Sequence, residues 1–252
     1  MQITPLYSDT ARPMKILVLA SGRGTNFEKI HSRQMELEQN GGKNYGTIEH
    51  VFSNDPEAPV LAKAKALKIE TSSISSEKFF ADIGKPPSDE GGRVLYDSAV
   101  ISLIEEVLEP DLVVLAGYRR RLSRMFTDRF ANRILNLYPG DTTKDYLVRG
   151  KRACVQALEN GEKTIRCTLY LENNPETRFG TVIAQSADIS LEGFGVGDVE
   201  TMEEKIREQG EWKLFPFVVH DLIANGRVAI DEKNNVYVDG RRTGESGFSL
   251  SP

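Results

Sequence analysis

Met14-Lys15-Ile16-Leu17-Val18-Leu19-Ala20 runs directly into Ser21-Gly22-Arg23-Gly24-Thr25-Asn26, and the reading of this stretch decides the fold. The first seven residues are apolar but for one lysine and include the β-branched Ile16 and Val18, which predicts a buried strand of a parallel sheet. The glycines then break the strand, and apolar spacing from Phe27 to about Glu38 predicts a helix ended by Gly41-Gly42. A loop leaving a strand's carboxyl end and opening a helix gathers backbone N–H groups where the helix dipole favours an anion. Gly22 and Gly24 let a phosphate approach the backbone, Thr25 and Asn26 add side-chain donors and a cap, and Arg23 adds positive charge. A dinucleotide fingerprint would place glycine where Phe27 stands, and no Gly-Lys-Ser/Thr follows. The pattern predicts a phosphate ester rather than a nucleotide cofactor; the competing reading is a tight turn with a helix cap.

Outward from this unit, 47–53 reads as a second strand, 59–67 as a short Ala-rich helix and 69–74 as a weak third strand. Residues 75–92 are polar and rich in Gly, Pro and Ser, which predicts a surface insertion. Apolar residues at helical spacing mark 94–108, Pro110 ends that helix, and 112–117 is another buried strand. A helix over 122–131 leads to a strand at Ile134-Leu135-Asn136-Leu137-Tyr138. Strand and helix alternating at these lengths predict an α/β fold: a Rossmann-like open, mostly parallel twisted sheet with helices on both faces. Farther on, 153–160 reads as a short helix, 164–171 and 181–189 as strands, and 199–224 as mostly helix. A hairpin pairs 227–230 with 236–238 around Asn234-Asn235. Residues 1–13 lack a signal-peptide core and read as a flexible leader, and 243–252 as a frayed tail.

Composition narrows the class. The chain has 252 residues with 32 Lys and Arg against 37 Asp and Glu, a net charge of −5, so no basic excess points to nucleic acid. No apolar run approaches the roughly 20 residues that span a bilayer, so no membrane partner is expected. Cys154 and Cys167 are the only cysteines; two thiols make no disulfide framework and suit a reducing, cytoplasmic location. Both read as small, partly buried side chains. His31, His50 and His220 are scattered without ligand spacing, so no metal site is expected.

The strand at 134–138 carries the chemistry. Residues two apart on a strand share a face, and an asparagine with an imidazole there can polarise a carbonyl and shuttle its proton. Here Asn136 is present, and Tyr138 occupies the second place.

Taken in order, these segments resemble the glycinamide ribonucleotide formyltransferase family. The resemblance is carried by 16–26, by Val51-Phe52-Ser53-Asn54, by Pro110-Asp111-Leu112-Val113-Val114-Leu115-Ala116-Gly117-Tyr118 with Arg120 and Leu122-Ser123, by 134–139 and by 156–161. It spans about 14–242 and divides that domain into a phosphate-binding half, 14–133, and a catalytic, folate-side half, 134–242. It implies formyl transfer from 10-formyltetrahydrofolate, a cosubstrate, to the amine of a phosphoribosyl substrate, in a monomer or homodimer without metal.

The implied catalytic triad is asparagine, histidine and aspartate. Asn136 fills the first place and Tyr138 the second; anchoring on 180–185 puts Arg178 at the third, with Glu176 as a stand-in. Substrate binding is implied for Gly22, Arg23, Gly24, Thr25, Asn26 and, by resemblance to a ribose-contacting residue, Glu211. Folate binding is implied for Tyr118, Arg120 and Leu122. A tyrosine hydroxyl, with an ordinary pKa near about 10, donates a hydrogen bond but is a poor base. Losing a positioned acid or base costs about 10²–10⁴-fold. The expected activity is therefore formyl transfer with impaired or altered chemistry. The alternatives are a phosphate-ligand-binding or regulatory homologue, or a formyl or acyl enzyme with another substrate.

Overall fold

The computed structural model describes residues 2–9, 11–42, 45–148, 150–173 and 179–251. In chain order the elements are β1 (Ile3–Pro5), β2 (Met14–Leu19), α1 (Thr25–Gln39), β3 (Gly46–Ser53), α2 (Pro59–Ala66), β4 (Glu70–Ser73), α3 (Ser76–Asp82) and α4 (Glu90–Glu105). Then come β5 (Leu112–Leu115), α5 (Arg124–Arg129), β6 (Ile134–Tyr138), α6 (Ala153–Glu159), β7 (Thr164–Ile165), β8 (Thr168–Leu171), β9 (Thr181–Gln185) and β10 (Ile189–Ser190). The chain stays helical through α7 (Val199–Ile206), a π segment (Arg207–Glu211), α8 (Trp212–Pro216) and a second π segment (Phe217–Ile223). It closes with β11 (Val228–Asp231), β12 (Val236–Val238), β13 (Arg241–Arg242) and β14 (Phe248–Ser249).

The central sheet has the order β14-β9-β8-β6-β5-β2-β3-β4. Strands β4, β3, β2, β5 and β6 are parallel, β8 opposes β6, β9 opposes β8, and β14 runs with β9. The result is the mostly parallel sheet that the strand–helix alternation predicts. Both faces are covered, which is why β2 reads as an apolar run. Ile16 and Val18 pack with Phe27 and Ile30 of α1 and with Leu214, Phe215 and Val218 of the C-terminal helix. Leu17 and Leu19 pack on the other side with Tyr96, Val100 and Ile104 of α4 and Phe126 of α5. The chain leaves β2 toward β3 and β4, then crosses back to β5 on the other side. That reversal opens a crevice beyond the carboxyl ends of β2 and β5, the usual ligand position in such sheets.

Several expectations are corrected. Residues 75–92 are not a bare surface insertion, because they contain α3 and the start of α4. Their polar residues include two caps: Lys78 N–H donates to Ser75 Oγ at 3.2 Å and Gly92 N–H to Asp89 Oδ1 at 2.6 Å. Phe80 is buried between them and stacks on Tyr96, ring centres 5.8 Å apart. The strand expected over 164–171 is two: β7 pairs with β10 in a separate ladder, while β8 joins the central sheet. The same division splits 181–189 into β9 and β10.

Residues 1–13, read as a leader, contribute β1, which pairs antiparallel with β11 from Ile3 opposite Asp231 to Pro5 opposite Ala229. Arg12 forks onto the Asp111 carboxylate at 2.5 and 2.9 Å. Three exposed residues ending in proline give little strand signal, and an edge is where proline is tolerated. The tail contributes β14, beside β9.

Candidate active site

The first wall of the crevice is the glycine loop. Ser21 ties it to the loop after β5, its N–H donating to Gly117 O at 3.3 Å and its Oγ accepting from Arg119 N–H at 2.9 Å. Gly24 precedes α1 with φ +74°, and a Cβ there would lie 2.5 Å from Val60 Cγ2. Backbone conformation and close packing thus both require glycine. Val60 N–H donates to Gly22 O at 3.1 Å, which holds the loop against α2. The fifteen-residue α1 therefore begins at Thr25 with its free N-terminal amides beside the crevice.

The opposite wall is the π segment after α7. Asn26 Nδ2 donates to Glu211 Oε2 at 2.7 Å, while Asn26 Oδ1 is buried without a partner among the described residues. Burial lifts the Glu211 carboxyl above its ordinary range, partly opposed by the Asn26 hydrogen bond and nearby Arg207. Glu203 and Arg207 share this wall; Glu203 pairs with Arg152 at 2.5 Å and Arg207 with Glu204 at 2.6 Å. Cys154 also lines the crevice, but burial, with Glu203 nearby, pushes its thiol up, away from a reactive thiolate.

The third wall is the end of β6. Asn136 lies beside Leu115 of β5 and opposite Tyr170 of β8. Its Nδ2 donates to Tyr170 Oη at 2.8 Å and to Glu172 Oε2 at 2.9 Å, and its Oδ1 accepts from Leu137 N–H at 2.8 Å. Burial, reinforced by Glu172, raises the pKa of the Tyr170 hydroxyl, so it stays protonated. Tyr138 packs its ring on Phe179 with centres 4.7 Å apart, and Phe179 meets Tyr170 edge-on at 5.6 Å. Gly140 makes room for that ring, since a Cβ there would come within 2.7 Å of it. Together the three walls enclose a cleft of about 350 Å³, within the range of small-molecule sites.

Comparison with known proteins agrees with this architecture. Residues 14–219 match the family described as "Formyl transferase". The chain belongs to the formyl transferase family. It is 30% identical over 236 residues to the phosphoribosylglycinamide formyltransferase of Escherichia coli (strain K12), covering 94% of this chain and 99% of that protein. The human trifunctional purine biosynthetic protein adenosine-3 is 27% identical over 93% of this chain, matching 21% of its own length. Among solved structures, the phosphoribosylglycinamide formyltransferase of Coxiella burnetii superposes with a TM-score of 0.74 at 26% identity, covering 95% of this chain and all of that one.

Within this formyl transferase fold, Gly22, Arg23, Gly24, Thr25, Asn26, Tyr118, Asn136 and Glu211 line one cleft. Other expected residues lie elsewhere. Tyr138 is on the same strand face as Asn136 but is packed in the aromatic group with Phe179 and is not among the cleft-lining residues. Leu122 is buried in the core under α4 and α5. Arg120 turns the same way, its guanidinium centred 4.6 Å from the Phe80 ring and 4.7 Å from the Tyr96 ring. In the same loop, Arg119 does line the cleft, its guanidinium approaching within 3.9 Å of where a Gly22 Cβ would stand. Glu176 and Arg178 lie outside the described residues.

Sequence reading passed over Glu172, Glu203 and Arg207. Glu203 and Arg207 precede Glu211 by eight and four residues, a helical spacing that places them on one side and was available as a signal. None of the histidines lines the cleft: His50 bonds to Ser72, and His220 lies between Gly46 and Ile30. Among the described residues no group of three or more His, Cys, Asp or Glu is placed to hold a metal, and no helix is long and apolar enough to cross a membrane.

Proposed function

We propose that this protein is a phosphoribosylglycinamide formyltransferase, moving the formyl group of 10-formyltetrahydrofolate to the amine of a phosphoribosyl-glycinamide. The observation that carries the reading is a phosphate-type glycine loop facing Asn136 across one cleft. The full-length likeness to the Escherichia coli enzyme supports it. The phosphate sits at Gly22–Asn26 on the α1 N-terminus, and the ribose hydroxyls meet Glu211 and the unpartnered Asn26 Oδ1. The amine then lies toward Asn136. Its lone pair attacks the formyl carbon and forms the C–N bond. The tetrahedral intermediate collapses by breaking the bond to the folate nitrogen, which leaves with a proton equivalent to the one the amine loses.

Folate is placed on the side formed by Ala116, Tyr118, Leu137 and Pro139, with Arg119 rather than Arg120 offered to its anionic end. The chemistry is altered because no histidine lines the cleft, and Tyr138 supplies no neutral base. The protein works in the cytoplasm, as a monomer or homodimer, on a small phosphorylated substrate without nucleic acid or membrane. The test is formyl transfer by the purified protein with 10-formyltetrahydrofolate and glycinamide ribonucleotide. Turnover that falls about 100-fold in Asn136→Ala supports the reading. Binding of the ribonucleotide without any turnover would replace it by the binding-protein alternative.

A further inference from the structure

The Asn136 side chain is oriented by chemistry from both ends. Glu172 offers only acceptors as a carboxylate, so the atom facing it at 2.9 Å is Nδ2. Leu137 N–H is only a donor, so the atom facing it at 2.8 Å is Oδ1. Tyr170 Oη takes the second Nδ2 proton at 2.8 Å. Both amide protons are thereby spent inside the protein, while Oδ1, with one lone pair engaged, keeps another. A carboxylate bound to the N–H end also draws the amide toward its charge-separated form, which makes Oδ1 a stronger acceptor.

From this geometry we infer that Glu172 is a positioning residue for the proposed formyl transfer: it holds the Asn136 amide with its carbonyl available to the cleft. Asn136 then accepts an N–H of the attacking amine and aims its lone pair at the formyl carbon, rather than donating to the formyl oxygen. Tyr170 braces the same arrangement from the opposing strand. Glu172 follows the last residue of β8, and the antiparallel pairing of β8 with β6 brings it back to Asn136 across 36 positions of chain. The inference rests on the functional reading above for the identity of the amine, but not for the orientation of the amide.

The test uses the whole chain and two readouts. In uniformly ¹⁵N-labelled protein, the Asn136 side-chain NH₂ pair is assigned by its disappearance in Asn136→Asp. The expected result is that Glu172→Gln, which keeps size and removes charge, shifts that pair, and that Glu172→Ala also exposes it to faster solvent exchange. Tyr170→Phe moves the same pair with the ring still in place. In the formyl transfer assay, Glu172→Gln is expected to lower kcat about 10-fold or more with KM for both substrates within about twofold, as for loss of a charge-assisted hydrogen bond. An Asn136 pair indifferent to both Glu172 variants overturns the proposed orientation. A shifted pair with unchanged kcat overturns the role in turnover. If the native chain transfers no formyl group while the pair still responds, the functional reading and the role in turnover fall together, and only the orientation of the amide stands.

Discussion

Asn26 and Glu211 join across 185 positions of sequence through a 2.7 Å hydrogen bond, which fastens the loop after β2 to the π segment of the C-terminal helix. Glu211 is a buried carboxyl with a raised pKa. Its charged form is disfavoured by folding, so its contribution to stability is fully present below its ordinary value of 4.5 and is lost as pH rises through the higher folded value. Glu211→Gln is expected to remove that slope, seen as a smaller fall in urea-unfolding free energy with rising pH. The same variant is expected to weaken glycinamide ribonucleotide binding about tenfold by calorimetry.

Gly24 gives a second expectation. Alanine there meets both a φ of +74° and Val60 Cγ2 at 2.5 Å. Gly24→Ala is expected to cost about 2–4 kcal/mol in chemical denaturation, adding left-handed backbone strain to overpacking. Ribonucleotide affinity should fall with it, since the loop cannot keep its path.

Tyr138→His tests the altered chemistry. An imidazole on the Asn136 face restores a group that both accepts and returns a proton near neutral pH. The expected outcome is a rise in kcat of about tenfold or more. A histidine variant with lower kcat and unchanged stability would contradict the idea that a missing base limits the native chain.

His220 is buried between β3 and α1, accepting from Gly46 N–H at 3.0 Å and facing Ile30 O at 2.9 Å through Nε2. These partners need the neutral ring protonated on Nε2, and burial lowers its pKa from 6.5 to about 4. The unfolded chain binds the extra proton between those values, so this stability is present above 6.5 and lost as pH falls toward 4. Between pH 7.5 and 5 the loss attributable to His220 is about 2 kcal/mol. His220→Asn should shrink it in paired urea titrations. Glu211 slopes the opposite way, so each variant is read against the native chain at the same pH.

The parallel sheet and glycine loop were legible because each is local: an apolar run buried on two faces, then glycines opening a helix. The expected cap from Thr25 or Asn26 is not formed, since Gly24 takes the cap position and no side chain caps α1. That Asn26, Asn136 and Glu211 would share one cleft was legible because the family resemblance groups them. Glu172 was not, because its partner is chosen by the register of β8 against β6, and register is not written in a short strand's own composition. Arg120 was misplaced for a related reason. Its ring partners, Phe80 and Tyr96, come from α3 and α4, and the caps on either side of Phe80 make 75–92 read as loop, although Tyr96 lies in the stretch read as helix. Strand β1 has three residues and a proline, too little to outweigh the polar segment around it.

The seat of Arg120 also limits how this protein can be re-engineered. Its guanidinium lies against the faces of Phe80 and Tyr96; ring quadrupoles stand in for part of its hydration. The loop 117–123 and the helices α3 and α4 are therefore one module for grafting. Transplanting a relative's loop alone would leave two aromatic faces without their cation, and trimming the helices alone would release an arginine beside the cleft. Chimeras that exchange 75–123 as a block should fold where those that exchange either part separately lose stability.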